Sequence, residues 1–154
     1  MSVTIDGTLG ITSVTGQAAT AVAGPAFSAS GTSISVPNLT ATKLTATTER
    51  FDTNSNYATS RFTPTVAGYY QINATASSGT SATGYVGVSI YRNGSVYLNG
   101  SLAPNSSVGP TVSISTLVAM NGTTDYVEIY GIQSSGGSLS MGVPDFSGCL
   151  VRGL

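Results

Sequence analysis

From Ala26 onward, hydrophobic and polar residues alternate in short runs separated by turn residues, and no stretch keeps a helical period. The clearest run is Tyr70-Gln71-Ile72-Asn73-Ala74-Thr75-Ala76. Its Tyr, Ile and Ala positions share one face and its amide and hydroxyl positions share the other, which predicts a strand half in a core and half in water. Pro64 and Gly68 suit the connection ahead of it. The same pattern predicts strands near 26-30, 33-36, 43-51, 57-63, 68-77, 84-92, 95-98, 111-119, 125-132 and 145-152. Asn93-Gly94 and Asn121-Gly122 each sit between two such runs, a signal for type I′ hairpins because both central positions need φ > 0. Many short strands at this spacing predict a sandwich or barrel.

The order Phe62, five residues, Gly68, one residue, Tyr70 resembles the globular-head family of complement component 1q. So does the closing Phe146-Ser147-Gly148-Cys149-Leu150-Val151. Ala26-Phe27-Ser28-Ala29 resembles the family's opening strand, Val88-Ser89-Ile90-Tyr91-Arg92-Asn93-Gly94 its central strand, and Asp125-Tyr126-Val127-Glu128-Ile129 the strand with an Asp-x-Val pattern. Ile72 and Ala74 stand where the family usually has aromatic residues. The resemblance covers residues 26 to 152 and implies an all-β, antiparallel, TNF-like jelly roll at 25-154. It also implies a trimer packed around a threefold axis. Tyr70, Tyr85, Tyr126 and Tyr130 are candidates for that axis, and the alternative for each is an ordinary core tyrosine.

Residues 1-24 read differently, as a small-residue segment rich in Thr, Gly and Ala that could not bury enough to fold alone. Fully extended, it would reach roughly 80 Å at about 3.3 Å per residue. It is expected to be an N-terminal arm that docks on a larger assembly, with Val3, Ile5, Leu9, Ile11 and Val14 as the anchoring candidates; a frayed tail is the alternative. Its Thr4-Ile5-Asp6-Gly7-Thr8-Leu9-Gly10-Ile11 is similar to the openings of bacteriophage structural proteins.

Charge changes this picture most. Only 7% of the 154 residues are charged and the net charge is −1, against roughly a quarter charged in ordinary domains. The cations Lys43, Arg50, Arg61, Arg92 and Arg152 are scattered, so no basic patch for nucleic acid is expected. Ser, Thr and Gly fill the deficit, and the mean hydropathy is +0.21. A surface this poor in charge is read as assembly surface, with a hydroxyl-rich monomer as the alternative.

The chemistry-bearing residues are few. No His is present, which removes the Ser-His-Asp and Cys-His arrangements and the imidazole metal ligands. The acids Glu49 and Asp52, and Asp125 and Glu128, are oddly spaced and so would face opposite sides of a regular strand, unlike a catalytic carboxylate pair. No enzyme activity and no cofactor are expected. An oxygen-only calcium site through Asp125 or Asp145 is conceivable from the resemblance, although no ligand-rich loop accompanies either residue. The single Cys149 reads as a strand-borne small hydrophobe. Asn-x-Ser/Thr triplets at Asn38, Asn73, Asn93, Asn99, Asn105 and Asn121 read as turn chemistry. No signal peptide or membrane-spanning apolar run is read, so synthesis in a host cytoplasm is expected.

Together these features point to a trimeric capsid cement or decoration protein in a phage virion, held to the major capsid protein or another virion protein by its arm. A tail fibre would need a shaft, which this chain does not show. The alternative is a tail-fibre tip that binds a host-surface glycan through Tyr97, Asn99 and Asn105.

Overall fold

The computed structural model describes residues 24–154 and the strands Val3–Asp6 and Gly10–Val14. The described residues contain strands and no helix. β1 (Val3–Asp6) and β2 (Gly10–Val14) pair antiparallel in a two-stranded sheet of their own.

Two larger antiparallel sheets form a sandwich. One has the order β10 (Ser95–Pro104), β9 (Tyr85–Arg92), β12 (Val127–Gln133), β7 (Arg61–Phe62), β6 (Tyr57–Ala58), with β4 (Thr42–Lys43) also on β12. The other has the order β11 (Thr111–Met120), β8 (Gly68–Ser78), β13 (Leu139–Gly153), β3 (Ala26–Val36), β5 (Thr48–Asp52). The alternation that predicted β8 is the observed one: Tyr70, Ile72, Ala74 and Ala76 are buried, and Tyr69, Gln71, Asn73 and Thr75 face out. β11 repeats it beside β8, with Val112, Ile114 and Val118 inside. The jelly roll predicted from the sequence is therefore the fold observed.

An aromatic cluster joins the sheets near the chain's entry into β3. Phe27 is stacked between Tyr57 and Phe62, with ring centroids 4.9 and 4.4 Å away, and Phe146 meets it edge-on at 4.9 Å. Tyr70 packs edge-on against Phe62 at 5.5 Å and donates its hydroxyl to the Val66 carbonyl at 2.7 Å. Phe27, Phe146 and Tyr70 come from the five-stranded sheet, whereas Tyr57 and Phe62 come from the six-stranded one. Gly148 makes room for this. A Cβ there would lie 2.7 Å from Ile72 Cδ1 and 2.9 Å from Phe27 Cε1, so the Phe-Ser-Gly run of β13 supplies one ring and vacates the space for another.

Several expectations change. The predicted strand 43-51 is two strands on different sheets, because Leu44 and Ala46 between them are fully buried and carry the chain through the core. The predicted strand 57-63 is a hairpin, β6 to β7, with left-handed Thr59 (φ 50°) and Ser60 (φ 59°) at its turn. Ser60 is tied down by the Ala46 N–H, which donates to its Oγ at 2.9 Å. The predicted strands 26-30 and 33-36 form one strand, β10 continues to Pro104, and β13 starts at Leu139.

Asn93-Gly94 makes the expected turn between β9 and β10, with φ values of 53° and 77°. Asn121-Gly122 does not make a hairpin, since β11 and β12 belong to different sheets. Instead Asn121 Oδ1 accepts the N–H groups of Thr123, Thr124 and Asp125 at 2.9, 2.9 and 3.0 Å, an Asx-type loop that crosses the sandwich. Asn73 and Asn99 lie on strands rather than in turns.

Replacing Gly148 with Ala is expected to cost about 1–3 kcal/mol, because the added methyl overpacks the Phe27 ring against β13. Urea denaturation with a fixed m-value checks this. An unchanged midpoint would show that the ring can yield freely.

Candidate interaction surfaces

β12 alternates Val127, Ile129 and Gly131 with Tyr126 ahead of it and Glu128, Tyr130 and Ile132 along it, so the second set faces outward from the six-stranded sheet. Glu128 is nonetheless 2% exposed. Lys43 Nζ from β4 and Arg61 Nε from β7 both donate to its Oε1, at 2.6 and 2.9 Å. Lys43 also donates to the Thr59 carbonyl at 3.0 Å, bracing the left-handed turn of the β6–β7 hairpin. The Arg61 guanidinium lies 3.8 Å over the Tyr126 ring. Burial pushes the Glu128 carboxyl up, but the hydrogen bonds and charges of Lys43 and Arg61 outweigh it and hold the group below its ordinary value.

Asp125 is engaged in a similar way. Asn93 Nδ2 donates to its Oδ1 at 2.7 Å; Arg92 and the Asn121 N–H donate to Oδ2 at 2.6 and 2.8 Å. The Asn93 hydrogen bond leads the causes that hold this carboxyl low, with the Arg92 and Asn121 bonds and the Arg92 charge outweighing burial. Asp145 is bound by Arg50 at 2.8 Å and by the Ser147 hydroxyl at 2.9 Å. All three acids are thus spoken for by donors. Among the described residues no group of three His, Cys, Asp or Glu side chains could hold a metal ion.

Of the four tyrosines proposed for a threefold axis, Tyr85, Tyr126 and Tyr130 lie on the outward face of the six-stranded sheet and Tyr70 does not. Tyr70 is fully buried in the core, because its strand alternates inward at that position, and it is corrected here to a core residue. Tyr126 lies under Arg61, and Tyr130 stacks on Tyr91 with centroids 3.8 Å apart. Tyr85 lines a groove farther along the same sheet. Of the anchoring candidates, Val3 and Ile5 lie on β1 and pair in register with Val14 and Ile11 on β2; Leu9 lies outside the described residues. Cys149 is exposed, since Leu150 takes the inward position beside it.

Five exposed large apolar side chains gather at the open edge where β10 and β11 end their sheets, whereas Leu39, Phe51, Tyr69, Val108, Val151 and Leu154 are exposed elsewhere. Val96, Tyr97, Leu98 and Leu102 on β10 and Leu117 on β11 are exposed, Leu102 at 61% and Leu117 at 51%. Tyr97 reaches across that edge and donates its hydroxyl to the Leu117 carbonyl at 3.0 Å. Beside this edge, the outward face of β8 and β11 is an uncharged polar array. Gln71 Nε2 donates to Ser115 Oγ (2.8 Å) and Asn73 Oδ1 (3.2 Å), and Ser115 Oγ donates to Asn73 Oδ1 (2.9 Å).

On the opposite face, β9, β10 and β12 form a groove of about 270 Å³, lined by Tyr85, Gly87, Ser89, Asn99, Leu102 and Ile132 among others. Of the glycan candidates, Asn99 faces this groove. Tyr97 is committed to the β11 edge, and Asn105 Nδ2 donates to the Thr83 carbonyl at 2.8 Å.

No protein-family model matches the chain, and no curated protein matches it. Solved structures do. The globular domain of zebrafish complement 1qA protein is 23% identical, with a TM-score of 0.63, and the match covers 85% of this chain and 99% of that one. The PRD1 vertex protein P5 is 17% identical, with a TM-score of 0.62, over 84% and 98% of the two chains. Murine APRIL is 12% identical, with a TM-score of 0.51, over 78% and 98%. The chain has the complement 1q/TNF-like jelly-roll fold.

The titrating groups set a pH window for its stability. Asp125 and Glu128 are held low, so their contribution is complete above the unfolded carboxyl range of about 4 and is lost as pH falls through their lower folded values. Burial pushes the Tyr57 and Tyr70 phenols up to about 12. Their contribution is complete below about 10 and is lost as pH rises through about 12. With no His in the chain, the melting temperature is expected to be flat between about pH 5 and 9 and to fall on both sides. Glu128→Gln is expected to lower it and to reduce the acid-side slope. Scanning fluorimetry across pH checks both, and a marked slope near neutrality would contradict them.

Proposed function

We propose that this chain is a structural protein of a phage virion: a homotrimeric capsid cement or decoration protein fastened to the shell through residues 1–24. The observation that carries the reading is the open β10–β11 edge, where Val96, Tyr97, Leu98 and Leu117 stay exposed beside an uncharged sheet face. An edge of this kind is an aggregation hazard in a monomer. Packed on the β8–β11 face of the next copy, it would bury apolar surface without stranding a charge, and three such heterologous contacts close a ring. The complement 1q resemblance, which implies a trimer, supports the same assembly. Likeness to a vertex protein supports a virion role.

Bonding in this reading is mechanical. Apolar burial holds the trimer, and the N-terminal segment adds contacts to the major capsid protein or another virion protein. None of these three structural neighbours is named as an enzyme, and Asp125, Glu128 and Asp145 are engaged in ion pairs. A receptor-binding tip draws support from one feature, the outward groove on the six-stranded sheet.

Light scattering is expected to give three times the 15.4-kDa chain mass. A monomer at micromolar concentration would overturn the trimer. Leu117→Asp should yield a folded monomer, because the side chain is half exposed and its loss opens no cavity in the subunit. Purified protein should add to decoration-free heads and raise their thermal stability, and deletion of residues 2–24 should abolish that addition while the sandwich stays folded. Binding to host cells in place of heads would favour the tip.

A further inference from the structure

The outward face of β9 runs large, small, small, large: Tyr85, Gly87, Ser89, Tyr91. Register sets Ile132 and Leu102 on either side of Gly87, and Tyr130 and Asn99 on either side of Ser89. Three strands therefore share one depression, bounded beyond Ser89 by the Tyr91–Tyr130 stack and filled from below by nothing larger than a serine. A Cβ on residue 87 would come within 2.5 Å of Leu102 Cδ2 and 3.3 Å of Ile132 Cγ2. Gly87 thus lets Leu102 pack down beside Ile132, and these two side chains line the depression.

We propose that this groove binds one neutral pyranose ring of a glycan. Its volume of about 270 Å³ is near the roughly 300 Å³ lower bound of small-ligand sites, which suits a single ring. None of its lining residues is charged, and the nearest ionic cluster is satisfied within itself by Lys43, Arg61 and Glu128. An ionic ligand would find no counter-charge.

The lining matches the two chemistries of a sugar ring. Leu102, Ile132 and the Tyr85 ring offer apolar surface to its C–H face. Asn99 offers the polar contact. Ser89 Oγ donates to Asn99 Oδ1 at 2.8 Å and so orients the amide. The Asn99 Nδ2 hydrogens and the Tyr85 hydroxyl meet no partner among the described residues, which leaves donors free at the rim for ring hydroxyls. An amide held in place before the ligand arrives costs less entropy on binding. The groove lies on the sheet face away from the β8–β11 array, and Leu102 is the residue it shares with the β10 edge.

Saturation-transfer NMR on the full-length protein, with methyl glycosides of glucose, galactose, mannose and N-acetylglucosamine as probes, tests the proposal. At least one probe is expected to bind in the millimolar range, with transfer strongest to its ring C–H protons and unchanged by added salt. Asn99→Ala should weaken that binding about tenfold. Thr48→Ala, on an exposed strand of the other sheet, should leave it intact. Circular dichroism confirms that each variant is folded. No transfer to any probe, equal binding by Asn99→Ala, or binding that salt weakens would each overturn the site.

Discussion

The stacking of Phe27 between Tyr57 and Phe62 is the contact on which the rest of the sandwich depends. Each aromatic pair contributes about 0.5–1.5 kcal/mol beyond the burial of its area, but its place in the topology matters more. β6 and β7 are two residues each, too short to hold a sheet edge through backbone pairing alone. Their side chains anchor them to Phe27 and Phe146 on the other sheet. Once anchored, β7 presents Arg61 to Glu128, and the turn between the two strands presents the Thr59 carbonyl to Lys43. The ionic cluster on the outer face is thus positioned from inside the core.

That cluster explains how so sparsely charged a chain uses its ionic groups. Lys43, Arg61 and Glu128 bind β4, β7 and β12 together, Arg92 and Asp125 fix the Asn121 loop, and Arg50 joins β5 to Asp145 on β13. Lys43 and Arg61 reinforce ladders of only two and one residue pairs with β12, whereas Arg50–Asp145 joins strands separated by β3. Little charge remains to keep copies apart, so solubility rests on hydroxyl and amide groups. Where strand edges meet, even these give way to Val96, Leu98 and Leu117.

The fold was legible because β8 and β11 follow their period of two, and because Phe-Ser-Gly on β13 supplies one core ring and the room for another. The chain's crossing at Leu44 and Ala46 was not legible: an apolar alternation reads the same whether a strand stays in its sheet or passes through the core to the other. The β6–β7 turn gave no warning either, since Thr59 and Ser60 adopt positive φ without the Asn or Gly that usually announces it. Tyr70 misled because ring size says nothing of direction: it turns inward with its strand, while Tyr85, Tyr126 and Tyr130 stay on the outer face of the six-stranded sheet. The groove was missed, although β9 carries a signal for it in two small residues between two large ones on one face.

The two uncharged polar regions of this surface differ in a way that separates their roles. On the β8–β11 face, Gln71, Asn73 and Ser115 bond one another, while Asn73 Nδ2 and Gln71 Oε1 remain for an outside partner. A protein surface that covers the array has to meet those two groups. In the groove, Asn99 is held only through its carbonyl oxygen, and its donors are left over. Covering that site with an apolar surface would strand them, whereas a ring of hydroxyls would not. Both faces leave amide donors over, and what the groove adds is the apolar lining of Leu102, Ile132 and Tyr85 for the face of a ring.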